Sequence, residues 1–238
     1  MLRPLLAGLA CALVAGIAVG CDSKDPNANT ADAKSTLKDT AKAPPPPDTS
    51  GPTPSGPMEA TDTTGKKFTF ADPGVQKGDV AVVETSMGTI KFTLDDKTPN
   101  HVANFEKLAN AGFYDGTAFH RVVPHFMIQG GDPNTRSKSG PYGGGDPGYK
   151  IKSEFNSTPF ERGIVGMARS QDVDSAGSQF FIMVDSNPGL NNQYTAFGKV
   201  TEGMDVADKI VAVPTDGDAV KDIDKVRIKS VKIVHPAK

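Results

Sequence analysis

Cysteine is nearly missing from this chain of 238 residues: it occurs at Cys11 and Cys21 and nowhere later. That excludes a disulfide framework, a cysteine-bound metal and a thiol nucleophile from everything beyond residue 21. The four histidines, His101, His120, His125 and His235, show no i,i+4 pairing, so a metal-binding helix has no candidate, and a structural or lightly exposed role is expected for His120. An excess of one charge is missing too: 26 Lys and Arg face 28 Asp and Glu, so nothing points to nucleic acid. No nucleophile and base stand together as a hydrolase would need, and nothing in the residues asks for a cofactor. Long apolar runs are scarce, with one exception at the N-terminus.

That exception is Leu5–Val19, charge-free and preceded by Arg3. It is short for a membrane-spanning helix and long enough for the core of a secretion signal. It ends in Ala18-Val19-Gly20-Cys21, which resembles a bacterial lipoprotein cleavage site with Cys21 as the acylated residue. Ala18 and Val19 depart from the commoner residues there, so plain secretory cleavage nearby is the alternative. The expected organisation is a signal over 1–20, a lipidated Cys21 with a disordered linker over 21–78, and a folded domain over 79–238. Two or three acyl chains would anchor the chain firmly to a membrane, outside the cytoplasm and facing the periplasm.

Nine prolines fall between Asp22 and Gly78, among Ser, Thr, Ala, Lys and Asp and without apolar periodicity. Such a segment cannot bury enough surface to offset the entropy of ordering. Pro44–Pro47 should be locally extended. The stretch reads as a tether, or as a proline-rich ligand for a partner.

From Asp79 onward, apolar periodicity appears. Asp79–Leu94 reads as a hairpin in which Val80 and Val82, then Ile90, Phe92 and Leu94, alternate around the turn Ser86-Met87-Gly88. Thr98-Pro99 opens a helix with Val102, Phe105, Leu108 and Ala109 inward and Gly112 as its stop. Strands follow over 119–123, 126–129, 163–168, 178–184, 195–200 and 225–234, and a second helix over 202–211. Many short strands with two helices suggest a mainly β, antiparallel barrel capped by helices. Gly143–Gly148 formally matches a dinucleotide-binding pattern, but no strand precedes it and Pro147 interrupts any helix after it. Asp172 and Asp174 faintly echo a calcium loop, but no Glu closes it.

The chemistry concentrates in Phe119–Asp132, FHRVVPHFMIQGGD. One cation, Arg121, sits in an apolar run, with Phe126, Met127 and the neutral Gln129 following. Arg121 could be a plain salt-bridge residue. Its company favours a site: Gln179, Phe181 and Leu190 repeat the same residue types on later segments. A fixed cationic donor, an apolar surface and amide groups suit gripping and polarising a neutral group, such as an amide, better than breaking a bond.

The motifs GFYDGTAFHRVVPHFMIQGGD (112–132), GIVGMARS (163–170), GSQFFI (177–182) and LNNQYTAFGKV (190–200) resemble those of the cyclophilin peptidyl-prolyl isomerases, in order over residues 79–238. The resemblance implies a closed eight-stranded antiparallel barrel with a helix at each end. It implies prolyl isomerisation of exported or unfolded proteins, or else a non-catalytic proline-peptide binding module. By resemblance, Arg121 is the catalytic arginine, with Gln129 beside it. Phe126, Met127, Phe181 and Leu190 form the proline pocket, Gln179 contacts the peptide backbone, and Ala168 and Arg169 border the substrate. Tyr194 stands where many members have His. Three departures stand out. Gly189 replaces a tryptophan that helps hold cyclosporin, so weak drug binding is expected; separately, the domain is expected to be a monomer. His125 replaces a usual Gly, and Asn191-Asn192 a usual Asp-Gly turn.

Overall fold

The computed structural model describes residues 58–138 and 141–236. The signal, Cys21 and the linker up to residue 57 lie outside the described residues.

The expected first hairpin is β3 (Val80–Thr85) with β4 (Gly88–Leu94), paired antiparallel. Its inner face carries Ala81 and Val83, not Val80 and Val82. The register sets Ala81 opposite Phe92 and Val83 opposite Ile90, so these four point together into the core. Helix α1 (Pro99–Asn110) follows, with proline at its start. The Thr98 hydroxyl donates to Asp95 O at 3.2 Å instead of capping the helix. Gly112, at φ +66, takes the left-handed turn that ends it.

Next come β5 (Arg121–Val123), β6 (Met127–Gly130), the short α2 (Asn134–Ser137), β7 (Ile164–Met167), β8 (Phe180–Met183) and β9 (Ala196–Glu202). Helix α3 (Met204–Val211), a two-residue pair β10 (Thr215–Asp216) and β11 (Ala219–Val220), and β12 (Ile228–Val234) complete the fold. The main sheet has ten strands, not eight, in the order β10-β11-β5-β6-β8-β7-β9-β4-β3-β12. It is not closed strand to strand as the expected barrel would be. The segments leading into β5 and β12 approach through the isolated bridge Ala118↔Arg227 and three backbone hydrogen bonds, from Gly116 N to Ile228 O, Ile228 N to Thr117 O and Phe119 N to Val226 O. The 3₁₀ turn Ile223–Val226 leads into that point, which keeps the approach from becoming a ladder. Three α-helices are described rather than two.

The folded part also starts earlier than residue 79. Met58–Thr61 (β1) and Lys67–Phe70 (β2) form a hairpin within what reads as linker. Phe68 and Phe70 are buried, and the Phe68 ring lies 5.0 Å from that of Phe113. Asp62, in the hairpin turn, is wholly buried and pairs with Arg136 Nη1 at 2.9 Å. The guanidinium of Arg136 in turn stacks over Phe68 and Phe113, at 5.4 and 5.1 Å. The central core is aromatic: Phe92, Phe105, Tyr114, Phe180 and Phe197 are inaccessible to solvent and touch edge to face or tilted. No helix among the described residues is long and apolar enough to cross a membrane.

Candidate active site

The β5–β6 hairpin places the first half of the site. Its register sets Arg121 opposite Gln129 and Val123 opposite Met127, so the cation and the amide leave the sheet side by side. The turn between them bends at His125, whose φ of 58° is a left-handed value that glycine adopts at lower cost. That explains the glycine common at this position in the family the motifs resemble. His125 points into solvent, its Nδ1 3.9 Å from Asp185. Gln129 lies opposite Phe181 of β8, which brings the aromatic ring to the same face. Gly166 of β7 makes room for that ring: a Cβ there would sit 2.3 Å from Phe181.

Together these elements form a groove of about 240 Å³ lined by Arg121, Phe126, Met127, Gln129, Ala168, Arg169, Phe181, Leu190 and Tyr194. Nine of the ten expected site residues beyond Cys21 thus meet in one place. The tenth, Gln179, stands next door. It lines a second groove of about 200 Å³ with Gly143, Gly144, Gly145, Asp146, Lys150, Ser170 and Ser175. The two grooves share Gln129, Ala168 and Arg169 as a common wall. A larger cleft of about 380 Å³ lies elsewhere, between Lys77, Asp96, Thr158 and Lys199, and none of the motif residues at the site line it.

A chain of polar contacts sets the arginine. Arg121 Nη1 donates to Gln129 Oε1 at 3.3 Å, and Gln129 Nε2 donates to Gln179 Oε1 at 3.0 Å. Gln179 Nε2 is held by the carbonyls of Gly143 and Gly145, both at 2.9 Å. Those glycines are fixed in turn by their amides on the buried carboxylate of Asp132. On the other side, Arg121 Nε and Nη2 both donate to Asp218 Oδ2, at 3.2 and 2.9 Å. Asp218 lies in the turn between β10 and β11, beside Ala219, which pairs with Arg121. Sequence reasoning passed over Asp218, since an acidic residue after Asp216-Gly217 has the signature of any turn. Three of the five guanidinium donors are therefore engaged, and two remain for a ligand.

The apolar floor is equally fixed. The Phe181 ring packs on Phe160 at 5.7 Å and meets Tyr194 edge-on at 5.8 Å. Leu190 ends a short 3₁₀ turn, Pro188–Leu190, capped by Asn187, whose side chain accepts from Gly189 N. Asn192, at φ 58, takes the left-handed position of the turn after it. Arg169 lies over the Tyr194 ring at 4.6 Å. His120 points away into the core, where burial pushes its pKa down and neither ring nitrogen has a hydrogen-bond partner. No group of three potential metal ligands occurs among the described residues.

Comparison with known proteins identifies the family. Residues 80–233 match the family model described as cyclophilin type peptidyl-prolyl cis-trans isomerase/CLD. A probable peptidyl-prolyl cis-trans isomerase of Brucella abortus is 48% identical over 138 residues, covering 55% of this chain and 70% of the relative. Peptidyl-prolyl cis-trans isomerase B of Bacillus subtilis is 45% identical over 137 residues, covering 56% and 88%. The crystal structure of a cyclophilin-type isomerase from Cryptosporidium parvum superposes with a TM-score of 0.59 at 32% identity, over 67% of this chain and 99% of that one. A structure of the same protein in the presence of the dipeptide Ala-Pro gives 0.58 at 34%, over 66% and 99%. With the family model matched over more than half its length, this chain belongs to the cyclophilin-type peptidyl-prolyl cis-trans isomerases.

Proposed function

We propose that the groove turns X-Pro peptide bonds of exported or unfolded proteins by presenting Arg121 to the prolyl nitrogen. An X-Pro bond prefers trans by only about 0.5–1 kcal/mol but exchanges over tens to hundreds of seconds, across a barrier near 20 kcal/mol. Amide resonance is the barrier. In the twisted state the nitrogen regains its lone pair and becomes an acceptor, which it is not when planar. A guanidinium aimed at that nitrogen therefore favours the transition state over either ground state. Exchange in milliseconds needs about 10⁴–10⁵-fold, or roughly 5.5–7 kcal/mol. One charge-assisted hydrogen bond supplies about 1.5–3 kcal/mol. The rest falls to the floor of Phe126, Met127, Phe181 and Leu190, which grips the ring while the carbonyl side rotates.

The observation that carries this reading is the pinned Arg121 at the edge of an apolar groove, with donors to spare. The test is cis-to-trans relaxation of an Ala-Pro-Phe peptide, followed with wild type and Arg121→Ala. A loss of about 10- to 100-fold in kcat/KM is expected from one such bond. Equal, uncatalysed rates for both would leave a proline-peptide binding module instead.

In this reading the domain works outside the cytoplasm, held to a membrane through lipid on Cys21 by the proline-rich segment. Globomycin sensitivity of the precursor tests that anchor. With Gly189 in place of tryptophan, cyclosporin binds weakly; the domain is also read as a monomer.

A further inference from the structure

The charges around the two grooves are not equally compensated. Arg121 is paired with Asp218 at 2.9 Å, and Lys150 with Asp146 at 2.7 Å. Arg169 has no carboxylate within ion-pair distance among the described residues. Its Nε and Nη2 donate to Gln193 O at 3.0 and 2.9 Å, its Nη1 donates to Ser170 O at 2.9 Å and to Gln171 O at 3.5 Å, and its plane rests on Tyr194. The acidic residues of its own loop are turned elsewhere: Asp174 accepts from Ser153, and Asp172 from Asp174 N. Arg169 is thus a half-buried cation, held rigidly by neutral partners, in the wall between the grooves. A charge already fixed in place loses little side-chain freedom when a ligand arrives.

The route of a bound peptide follows from the proposed chemistry, on which this inference rests. The prolyl nitrogen that faces Arg121 carries the preceding residue. Chain leaving that nitrogen starts beside Gln129, which lines both grooves, and passes Ala168 and Arg169 into the second. That groove is built from glycine backbone, serines, Gln179 and the mutually paired Asp146 and Lys150, with Ala168 as its one apolar side chain, so it suits a short polar group.

We propose that Arg169 makes this enzyme select X-Pro segments with an aspartate or glutamate one or two residues before the proline. The carboxylate would accept from the Nη2 proton that Gln193 leaves free, at the mouth of the second groove, where Lys150 and Asp146 already neutralise each other.

The test uses acetyl-capped peptides, because a succinyl cap would itself bring a carboxylate. Glu, Gln or Lys is placed one or two residues before proline in an Ala-rich Pro-Phe peptide, and exchange is read by NMR. For wild type at low ionic strength, kcat/KM should favour Glu over Gln by about two- to five-fold, the range of one partly exposed charge pair. Lys should be worst, and about 0.5 M salt should level the series. In Arg169→Gln the Glu-to-Gln ratio should fall to one, and Arg169→Lys should keep part of it. The ratio is read within each variant, so a general change of rate does not affect it. Equal wild-type rates for Glu and Gln, or a preference that survives in Arg169→Gln, would overturn the proposal. Failure of wild type to speed any of the peptides would instead remove the isomerase reading beneath it.

Discussion

Glu106 offers the sharpest physical test of the fold. It lies on α1, has no solvent exposure, and neither carboxyl oxygen finds a hydrogen-bond partner. Burial, and next the neighbouring Asp79 carboxyl, push its pKa from 4.5 up to about 8. Between those values the folded state binds a proton that the unfolded chain has released, so stability must fall as pH rises through the window. Each pH unit there costs about 1.4 kcal/mol for one proton. The full window would cost about 5 kcal/mol, and the loss by pH 7 would be about 3 kcal/mol. These figures are upper bounds, since water reaching a strained buried carboxylate relieves part of the penalty. Glu106→Gln keeps the shape and removes the titration. Its amide still lacks partners, so absolute stability is a poor readout; the slope with pH is the useful one. Urea unfolding followed by circular dichroism, at steps from pH 5 to pH 8, should show wild type losing about 2–4 kcal/mol that the variant keeps. His235 Nδ1, 2.8 Å from Asp79 Oδ1, also faces this cluster but is present in both proteins and cancels. Parallel slopes for the two proteins, or a flat wild-type profile, would refute the reasoning.

Other outcomes follow from the geometry. Asp218→Ala should lower kcat several-fold with little change in KM, because it frees Arg121 to swing away while leaving the apolar floor intact; steady-state kinetics on the Ala-Pro-Phe peptide would show it. Gly131→Ala should cost about 2–4 kcal/mol in urea unfolding, since the new Cβ would lie 2.5 Å from Ser178 O at a φ of +83. His125→Gly should relieve about 1 kcal/mol of left-handed strain, offset in part by a more flexible unfolded chain, leaving a thermal melt unchanged or slightly raised. Phe70→Ala should destabilise by about 3–5 kcal/mol if the N-terminal hairpin belongs to the core, and by almost nothing if it is merely attached.

Much of the site was legible because its residues sit on regular strands. Arg121, Gln129 and Phe181 come together through ladder register, and alternation along a strand is visible in residue order. Three things were not. The β1–β2 hairpin buries only Phe68 and Phe70 along its two strands, which is too sparse for a periodicity and is masked by the polar composition around it. The pair β10–β11 is two residues long on each side, below the length at which any pattern exists, yet it delivers Asp218 to Arg121 across 97 positions. The edge closure depends on Thr117 and Ala118 meeting Arg227 and Ile228, a long-range backbone contact without a side-chain signature.

If the chain is held at its N-terminal end, as proposed above, the N-terminal hairpin has a mechanical consequence. Met58 and Phe70 face each other at the open end of the β1–β2 pair, and the turn lies at the far end. Force entering at Met58 and resisted through β2 would load the ladder in unzipping mode, one residue pair at a time, rather than all four pairs in shear. The tear would run to Asp62, where the buried ion pair with Arg136 resists it. Phe68 and Phe70 stay with the core because they lie on the strand that is not being pulled. The hairpin would thus yield before tension reached β3, and the groove around Arg121 would keep its shape while the N-terminal end of the chain was pulled.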